Sequence, residues 1–506
     1  MTQKNAHRGK IVGIGDFLVD IWWRVTPANR NVEHAAMALC SLPGDCQIRP
    51  GGAGLLMDAV GRLGFSGCLF SMTDDKVPTQ VALHRLAKYI DVTRVHRTSM
   101  FCTPIKTRYV NANGHILMRH DSEQPLNAIQ GPLQIDAIIS EIKTAQCVVV
   151  SDYAKGCISA ATRGGIVSSA KACGVPVFVD AKPQTLGEYI GADLVKINMT
   201  ELDEFAAKFG FTKDLLPESS SIAETIQQKL EFVAKELRTT FLLVTAGSHG
   251  VWYVFKQRDA AFVKAPKTYS SGNCVGAGDV FLAGIIMGFS ELGEFNPRIL
   301  TPTTIPLVLS FGFSAAGQRV RTNSTKAVNE RQVLKEVASC SRIDGRVLSP
   351  SEFVRFAQIR RAAGFRIVFT NGCFDLLHTG HRTLLQRARA EGDILLVAVD
   401  SDDNVRRNKG KNRPIQDQET RAGNVAALAG VAAVCVFDDA ASSGHNTLLN
   451  LIRDVQPAVL VKGAEYAGRR VIGADDVMQQ EVPGRVVLVP MVPGTSTTAL
   501  VTKMKA

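Results

Sequence analysis

The sequence has little of what marks membrane and metal-cluster proteins. No apolar run is long enough to span a bilayer, and the N-terminus leads into a strand-like segment without the hydrophobic core of a signal peptide. None of the eleven cysteines forms a Cys-x-x-Cys pair, which argues against a zinc site and for reduced thiols. We therefore expect a protein of the cytoplasm with no membrane partner.

Aromatic residues and blocks of basic charge are also scarce. Aromatics make up 7% of the chain, and the net charge of +11 is spread out, without any run of five or six basic residues. Binding of small phosphorylated ligands accounts for this excess of positive charge as well as binding of nucleic acid does. No nucleic-acid partner is predicted.

The chain of 506 residues is too long for one ordinary hydrophobic core and predicts two or three domains. Both halves alternate Val/Ile/Leu-rich strands with helical patterns, which predicts α/β folds whose sites lie at the carboxyl ends of parallel strands. A short polar stretch with Gly and Pro separates them. We expect a first domain over residues 1–335, a linker over 336–350 and a second, smaller domain over 351–506.

The most informative segment is FTNGCFDLLHTGH, residues 369–381. It predicts a strand, a tight turn and a helix whose start carries His378 and His381 on one face. A helix N-terminus offers unpaired N–H groups to phosphate, and Gly380 lets a triphosphate approach the backbone. The segment predicts stabilisation of charge on a transferring nucleotidyl group. A metal pair or a chance surface pair are the alternatives.

A second phosphate pattern, GAGDVFLAG, lies at residues 276–284. The small residues Gly276, Ala277 and Gly278 leave their N–H groups bare and can form an anion hole for a transferring phosphoryl group. Asp279, in the first turn of the following helix, can accept the proton of an attacking hydroxyl. The alternative is that Asp279 only caps the helix dipole.

Four further segments accompany GAGD, and each by itself could be an ordinary turn or cap. They are the glycine turn 51–54, the strand end 148–153, the Asn/Glu pair in 198–201 and the Gly-rich turn 244–250. Their order resembles that of the ribokinase-like (PfkB) sugar kinases over about residues 10–330, whereas 369–381 resembles the cytidylyltransferase-like nucleotidyltransferases. Such a fusion resembles the bifunctional heptose 7-phosphate kinase and heptose 1-phosphate adenylyltransferase family. That resemblance implies a ribokinase-like three-layer domain with a β-flap lid, followed by a Rossmann-like nucleotidyltransferase domain.

The resemblance also implies two reactions and their site residues. ATP phosphorylates heptose 7-phosphate at O1, and a second ATP adenylylates heptose 1-phosphate to ADP-heptose for the lipopolysaccharide core. In the kinase half, Asp279 is the base. ATP binds at Asn198, Met199, Thr200, Glu201, Thr245, Gly247 and Gly250, with Mg²⁺ held by Glu201 through water. The sugar binds at Asp16, Gly51, Gly52, Lys106, Arg119 and Asp152.

In the transferase half, the implied catalytic residues are His378 and His381. The nucleotide and sugar phosphate are expected at Thr370, Asn371, Gly372, Cys373, Phe374, Lys409, Arg413, Lys462, Ser496, Thr497 and Thr498. Surface cations are the alternative for Lys409 and Arg413, and an ordinary N-cap for 496–498.

Three residues of the kinase half depart from the family pattern. Leu55 stands where the glycine turn carries Asn, and Asn273 and Val275 replace Asp and Thr before GAGD. A degenerate kinase that serves as a dimer scaffold or sensor is therefore one alternative. The same chemistry on another sugar phosphate, or with CTP, is another.

Residues 107–121 alternate polar and apolar side chains around Asn113-Gly114, which predicts a β-hairpin. The sheet edge of such a flap can be covered by a second subunit. We therefore expect a homodimer formed through the kinase domain.

Overall fold

The computed structural model describes residues 8–27, 39–41, 44–123, 133, 135–212, 222–266, 274–302, 304–322, 327–340, 346–440 and 447–490. Tertiary contacts divide the chain into two units, Met1–Val333 and Leu334–Ala506. Each unit has its own sheet and hydrophobic core. None of the helices in the described ranges is long and apolar enough to cross a membrane.

Fifteen described strands form the sheets of the first unit. They are β1 (Lys10–Gly15), β2 (Phe17–Arg24), β3 (Thr26–Pro27), β4 (Leu39–Cys40), β5 (Cys46–Gly52), β6 (Ser66–Thr73), β7 (Val95–Arg97), β8 (Ile105–Val110), β9 (Ile116–Ser122), β10 (Cys147–Asp152), β11 (Val177–Ala181), β12 (Leu194–Asn198), β13 (Phe241–Thr245), β14 (Gly250–Phe255) and β15 (Arg258–Lys264).

The main sheet has nine strands in the order β15-β14-β13-β12-β11-β10-β1-β6-β7. Strands β13 to β7 in this order run parallel, and β14 and β15 add an antiparallel edge. Parallel sheets are covered on both faces, so their strands are continuous apolar runs. The segment CVVVSD of β10 is accordingly buried along its whole length. Polar residues of the first unit, such as Asp152 and Asn198, lie at the carboxyl ends of these strands.

A separate four-stranded sheet, in the order β5-β2-β8-β9, contains the predicted hairpin. Strands β8 and β9 are antiparallel, and Gly114 adopts a left-handed φ of 81° at the turn between them. The side chain of Asn111 accepts hydrogen bonds from the N–H groups of Asn113 and His115. The β-flap expected from the sequence is therefore present, with β9 exposed at its edge.

Ten described helices accompany these strands. They are α1 (Ala53–Arg62), α2 (Val77–Leu86), α3 (Ile135–Ile142), α4 (Ala160–Ala172), α5 (Pro183–Leu186), α6 (Met199–Lys208), α7 (Ile222–Glu236), α8 (Ala277–Glu291), α9 (Thr304–Arg321) and α10 (Glu330–Cys340). Helix α8 is buried from Asp279 to Phe289 and packs against α9 through glycines. A Cβ atom on Gly284 would lie 2.5 Å from the carbonyl oxygen of Phe311 and 2.9 Å from the Cα of Gly312. This close packing fixes the N-terminus of α8.

The second unit has one parallel sheet and six α-helices in its described part. The strands are β16 (Arg346–Leu348), β17 (Ile367–Gly372), β18 (Ile394–Asp400), β19 (Val431–Phe437), β20 (Val459–Gly463) and β21 (Arg485–Val489). The helices are α11 (Pro350–Ala362), α12 (Thr379–Ala390), α13 (Asp402–Lys409), α14 (Gln418–Ala426), α15 (Leu448–Val455) and α16 (Ala474–Gln479).

The strand order of this sheet is β16-β19-β18-β17-β20-β21. From β17 the chain continues first to β18 and β19 on one side and then to β20 and β21 on the other. The order therefore reverses between β17 and β20, and in open α/β sheets ligands bind at the carboxyl ends of the strands at such a point. The segments 369–381 and 461–466 both leave the sheet there.

The linker predicted over residues 336–350 differs from the structure at both ends. Helix α10 continues to Cys340, and β16 pairs with β19 in parallel as part of the second sheet. Only three residues of β16 pair, which is too few for a periodic pattern in the sequence to reveal a strand. Helix α11 then begins with a capping box between Ser349 and Glu352.

The packing of β1 gives a stability prediction for the first unit. A Cβ atom on Gly15 would lie 2.1 Å from the carbonyl oxygen of Ser151, so Gly15→Ala must displace β1 from β10. We expect its free energy of unfolding to fall by about 1–3 kcal/mol, as for other overpacked cores. All three tryptophans (Trp22, Trp23 and Trp252) lie in this unit, so tryptophan fluorescence during urea unfolding reports on it alone.

Gly164→Ala is the matched control. Nothing lies within 4 Å of a Cβ atom at Gly164 in the interior of α4. Alanine should be neutral there or stabilise by about 0.5–1 kcal/mol, because glycine costs more backbone entropy in a helix. Equal urea midpoints for the two variants would contradict the packing described for β1.

Candidate functional site

The GAGD segment forms the start of α8, as the sequence predicts. Gly276 is the N-cap residue in a left-handed conformation with φ of 73°, and the first N–H groups of an α-helix have no partner within the helix. Asp279 is only 3% exposed, and both its oxygens accept a hydrogen bond from the Tyr153 hydroxyl, at 3.1 and 3.2 Å. Burial, together with the nearby Asp180 carboxylate, raises the pKa of Asp279 to about 7. A buried carboxylate with such a pKa is suited to accept a proton at neutral pH.

Lys196 completes this site, although sequence reasoning missed it. It lies on β12 and forms an ion pair with Asp180 at the end of β11. A Cβ atom on Gly278 would lie 2.8 Å from the Lys196 Nζ, so the ammonium group lies beside the anion-hole turn. Burial alone would lower the pKa of Lys196, but Asp180 and Asp279 hold it above its ordinary value. The sequence feature that could have revealed Lys196 is a lysine inside the otherwise apolar strand β12.

The glycine turn before α1 lies against a second carboxylate that the sequence reasoning missed. A Cβ atom on Gly51 would lie 2.9 Å from the Asp20 Oδ2 atom, and Gly52 adopts a left-handed φ of 55°. The other oxygen of Asp20 accepts a hydrogen bond of 2.5 Å from the Arg108 guanidinium, which also stacks on Trp22. Strand pairing produces this contact, since β2 lies between β5 and β8.

Asp16 and Asp152, both predicted to contact the sugar, are engaged within the protein. Asp16 accepts hydrogen bonds from the N–H groups of Tyr153, Lys155 and Cys157. Asp152 accepts hydrogen bonds from the N–H of Ala154, the Arg163 guanidinium and the Tyr189 hydroxyl. Their carboxylates therefore hold the 152–157 turn, and through it the Tyr153 ring. Their contact with the sugar stays a prediction.

Two lysines flank the ring of Tyr153. The Nζ atoms of Lys106 and Lys182 lie 5.5 and 5.2 Å from the ring centroid. Burial and the neighbouring Arg119 lower the pKa of Lys106. Arg119 itself pairs with Asp121 on the exposed strand β9, and its sugar contact stays a prediction.

The predicted ATP segment 198–201 forms the N-terminus of α6, where Met199 and Thr200 are its first two residues. Asn198 and Glu201 make a reciprocal capping box, with 2.9 Å in both directions. The other oxygen of Glu201 accepts a hydrogen bond of 2.6 Å from Lys182. Each oxygen of the Glu201 carboxylate thus already accepts a hydrogen bond within the protein. Contact through water stays a prediction.

The turn that was predicted to bind ATP between β13 and β14 is also present. Thr245 donates its hydroxyl to the carbonyl of Ile197, at 3.3 Å. Gly247 and Gly250 have left-handed φ values of 58° and 146°. Among the described residues, no group of three or more His, Cys, Asp or Glu side chains is arranged to hold a metal ion.

The departures from the family pattern lie close to GAGD. A Cβ atom on Gly276 would lie 2.2 Å from the Leu55 Cδ2 atom, so the leucine packs against the left-handed turn. The carbonyl of Val275 accepts a hydrogen bond from Arg319. Asn273 lies outside the described residues.

In the second unit, the two predicted histidines stack on each other at the start of α12. The ring centroids of His378 and His381 are 3.8 Å apart, and Phe374 lies 5.2 Å from the His381 ring. In each imidazole the Nδ1 atom is buried and has no hydrogen-bond partner within the described part of the chain. Burial and the charge of neighbouring His378 and Lys409 lower the pKa of His381 to about 4. A ligand that contacts either Nδ1 atom would therefore displace no internal hydrogen bond of that atom.

Lys462 lies in the last residues of β20, at the reversal of strand order. Its Nζ donates a hydrogen bond to the side-chain oxygen of Asn371 and lies 5.0 Å above the Tyr466 ring. Burial lowers the pKa of Lys462 to about 8, although the Asp400 and Glu465 carboxylates oppose this. The structure thus brings two predicted residues, Asn371 and Lys462, into contact.

Asp375 and Arg421, which the sequence analysis did not include among the site residues, form a hydrogen-bonded framework around this site. Asp375 accepts hydrogen bonds from Arg413 at 2.6 Å and from the N–H groups of Ile415 and Gln416. Arg421 is 0% exposed and donates to the carbonyl of Cys373 at 2.6 Å. These bonds hold the 413–416 segment against the turn that precedes the histidines.

The other predicted transferase residues differ in their surroundings. Thr370 is buried, and its hydroxyl donates a hydrogen bond to the carbonyl of Val461. Its side chain therefore links β17 to the neighbouring strand β20. Gly372 ends β17 and lies against the Phe374 ring, whereas Lys409 is exposed at the end of α13. Ser496, Thr497 and Thr498 lie outside the described residues.

Two family models match the chain. The pfkB family carbohydrate kinase model matches residues 27–326, and the cytidylyltransferase-like model matches residues 369–502. Among solved structures, phosphofructokinase-2 from Escherichia coli in complex with potassium is similar in fold, with a TM-score of 0.50 and 14% identity over 66% of this chain and 100% of that chain. The chain is therefore a sugar kinase joined to a nucleotidyltransferase.

Curated relatives match the whole length. The bifunctional protein HldE of Pseudomonas syringae pv. tomato is 31% identical over 506 residues, which cover 100% of this chain and 99% of the relative. That of Azorhizobium caulinodans is 32% identical over 504 residues, which cover 98% of each. The chain belongs to the HldE family. This family combines heptose 7-phosphate kinase and heptose 1-phosphate adenylyltransferase activities in ADP-heptose biosynthesis, which confirms the family and fold class expected from the sequence.

The stacked histidines lead to a prediction for how the stability of the second unit depends on pH. Because the pKa of His381 is lowered to about 4, its imidazole should stay neutral in the folded chain down to about pH 5. The unfolded chain then binds more protons, so His381 should reduce stability progressively as the pH falls from about 6.5 to 4. Nuclear magnetic resonance of ¹⁵N-histidine-labelled protein measures the midpoint directly.

His381→Asn assigns the resonance, and the urea-unfolded chain supplies the reference titration near pH 6.5. A folded-state midpoint at pH 6 or above for His381 would contradict the burial and stacking described here.

Proposed function

We propose that the first unit phosphorylates heptose 7-phosphate at O1 with ATP, and that the second transfers an adenylyl group from ATP to heptose 1-phosphate. The products are heptose 1,7-bisphosphate with ADP, and ADP-heptose with pyrophosphate. The observation that carries the proposal is that each unit has its own helix N-terminus surrounded by titratable side chains, which are buried in the first unit and partly buried in the second. Asp279 and Lys196 surround the first, and His378 and His381 surround the second.

In the kinase reaction, Asp279 accepts the proton of the O1 hydroxyl as this oxygen attacks the γ-phosphorus of ATP. The N–H groups of 276–278 and the ammonium of Lys196 stabilise the negative charge on the transferring phosphoryl group. The Tyr153 hydroxyl positions the Asp279 carboxylate by a hydrogen bond. When the sugar hydroxyl binds, it replaces this hydrogen bond or donates to the same carboxylate beside it. The contact of Lys196 with Asp180 supports this, since it keeps the ammonium charged despite burial.

In the transferase reaction, the sugar phosphate is already an anion and needs no base. Catalysis then consists of positioning and charge stabilisation. His378 and His381 bind the phosphates of ATP at the start of α12, where the N–H groups also point. Lys462 and Lys409 compensate the charge that develops on the α-phosphate and on pyrophosphate. The neutral state of the imidazoles lets them take up a proton as the phosphates bind.

Use of ATP follows from the two folds, and Mg²⁺ is part of the proposal. Magnesium prefers water and phosphate oxygens and is often held by few protein ligands. The engaged carboxylate of Glu201 is consistent with an ion that enters with the nucleotide and contacts the protein through water. No step of the mechanism above depends on a protein-bound ion.

We also propose that the chain acts in the cytoplasm as a homodimer formed through the kinase flap. The support is the edge strand β9, on which Ile116, Leu117 and Met118 are exposed although apolar. An unpaired apolar edge is a surface that a second subunit can cover.

The two activities should separate cleanly by mutation. Asp279→Asn keeps the shape of the side chain but removes the base, so ADP formation with heptose 7-phosphate should fall by about 10²- to 10⁴-fold. Pyrophosphate release from ATP and heptose 1-phosphate should stay unchanged in the same preparation. His381→Asn should show the opposite pattern, and serves as the matched control.

Persistent ADP formation in Asp279→Asn would refute the role of Asp279. Absence of ADP in the wild-type chain with any sugar phosphate would favour the second candidate, a degenerate kinase half used as a scaffold. Leu55 at the glycine turn is the observation that motivates this candidate.

The nucleotide can be tested separately. Pyrophosphate release with heptose 1-phosphate should be faster with ATP than with CTP at equal concentrations. Faster release with CTP would contradict adenylyl transfer while leaving the kinase proposal intact.

A further inference from the structure

The residues that lead into α8 form a β-turn whose central peptide group joins Val275 to Gly276. The N–H of Ala277 donates a hydrogen bond of 3.0 Å to the carbonyl of Cys274, which closes the turn. Gly276, the third residue of the turn, has φ of 73° and ψ of 10°, and Val275 does not have a positive φ. These are the angles of a type II turn, in which the central peptide group is turned over relative to a type I turn.

A buried guanidinium contacts the carbonyl of this central peptide group. Arg319, in the last turn of α9, is 5% exposed, and its Nε donates a hydrogen bond of 3.2 Å to the carbonyl of Val275. Its Nη2 lies 3.6 Å from the position of a Cβ atom on Gly276, so the guanidinium lies directly against the turn. Because arginine keeps its charge in proteins, this is a charge-assisted hydrogen bond.

This hydrogen bond also affects the N–H of Gly276, which belongs to the same peptide group. In a trans peptide group the C=O and the N–H lie in one plane and point in opposite directions. With Arg319 at the carbonyl oxygen, the N–H therefore points away from the guanidinium. A positive group at the carbonyl oxygen also polarises the peptide group, which makes its N–H a stronger donor.

The N–H groups that face away from Arg319 are available to a ligand. Within the described part of the chain, neither Gly276 nor Gly278 donates its N–H to an acceptor. The Nζ of Lys196 lies beside the second of these glycines, so a positive side chain accompanies each of the two. Donors that are held in place before the reaction stabilise the charge that develops on a transferring group.

We propose that Arg319 is a positioning residue of the kinase site, which holds and polarises the peptide group between Val275 and Gly276 so that its N–H donates to the transferring phosphoryl group. This inference rests on the proposed kinase function. Arg319 acts through the turn and does not touch the substrate, so its loss should slow phosphoryl transfer and leave sugar binding nearly unchanged.

The test measures ADP formation by the full chain with ATP and heptose 7-phosphate. Arg319→Ala should lower kcat by about 10- to 100-fold, which is somewhat less than the loss on removal of a whole oxyanion-hole donor. The KM for heptose 7-phosphate should change by less than about threefold, because an interaction made in the transition state contributes little to substrate binding. Pyrophosphate release from ATP and heptose 1-phosphate should stay at the wild-type rate.

Chemical rescue separates the charge of Arg319 from its packing. Guanidinium ion at millimolar concentration can fill the space that Arg319→Ala leaves, and it should raise the kcat of this variant by about 3- to 10-fold because it again donates to the carbonyl with a positive charge. Urea has the same planar shape without the charge and should not restore kcat. Sodium chloride at equal concentration controls for ionic strength.

Arg331→Ala is the matched control. Arg331 is an exposed arginine on α10 of the same unit. Its replacement should leave kcat and KM at the wild-type values, and guanidinium ion should not raise its kcat.

Three results would overturn the inference while the kinase function stands. They are a wild-type kcat in Arg319→Ala, a raised KM for heptose 7-phosphate at unchanged kcat, and rescue by guanidinium ion that is absent or no greater than rescue by urea. If the wild-type chain forms no ADP, the proposed function itself fails.

Tryptophan fluorescence checks that each variant is folded. If Arg319→Ala does not fold, Arg319→Gln decides the matter, because glutamine keeps a neutral N–H donor and loses the charge. A lowered kcat at unchanged KM in Arg319→Gln would support the inference, and a wild-type kcat would overturn it.

Discussion

The close packing of α8 against α9 is the contact on which the kinase site depends. Because Gly284 and Gly312 have no side chain, the backbones of the two helices can lie in direct van der Waals contact. This approach fixes the N-terminus of α8. Gly276 forms the left-handed turn of the proposed anion hole there, and Asp279 contacts Tyr153, which follows the end of β10. It also brings Arg319, near the end of α9, behind the same turn. One packing contact thereby positions the proposed base and the proposed anion hole.

Burial shifts the pKa values of the titratable groups in opposite directions in the two sites. In the first unit it raises the pKa of the Asp279 carboxyl to about 7, so that the group can accept a proton near neutrality. In the second it lowers the pKa of His381 to about 4 and that of Lys462 to about 8. An incoming phosphate reverses the effect for the cations, since it favours their charged forms. In both sites, the polar side chains are therefore held in surroundings that an anionic substrate would make more favourable for the cations.

The sequence was sufficient where a site is built from one continuous segment. GAGD and 369–381 each contain a strand end, a turn and a helix start, so their local geometry follows from the residues themselves. The partners of these segments were not predictable in this way. Lys196 lies beside Gly278, and Asp20 beside Gly51, because of the order of strands in the sheets, which no local pattern encodes. The hydrogen bonds of Asp16 and Asp152 to the 152–157 turn likewise become visible only in three dimensions, and their contact with the sugar stays a prediction.

The central claim is that buried Asp279 is the kinase base, and the pH dependence of ADP formation tests it most directly. The value of kcat/KM for heptose 7-phosphate should fall as the pH drops through about 7, because the carboxyl must be ionised to accept a proton. In Tyr153→Phe the loss of the hydroxyl that donates to the carboxylate should move this acidic limb to higher pH. An acidic limb near pH 4, or one that stays in place in Tyr153→Phe, would contradict the claim.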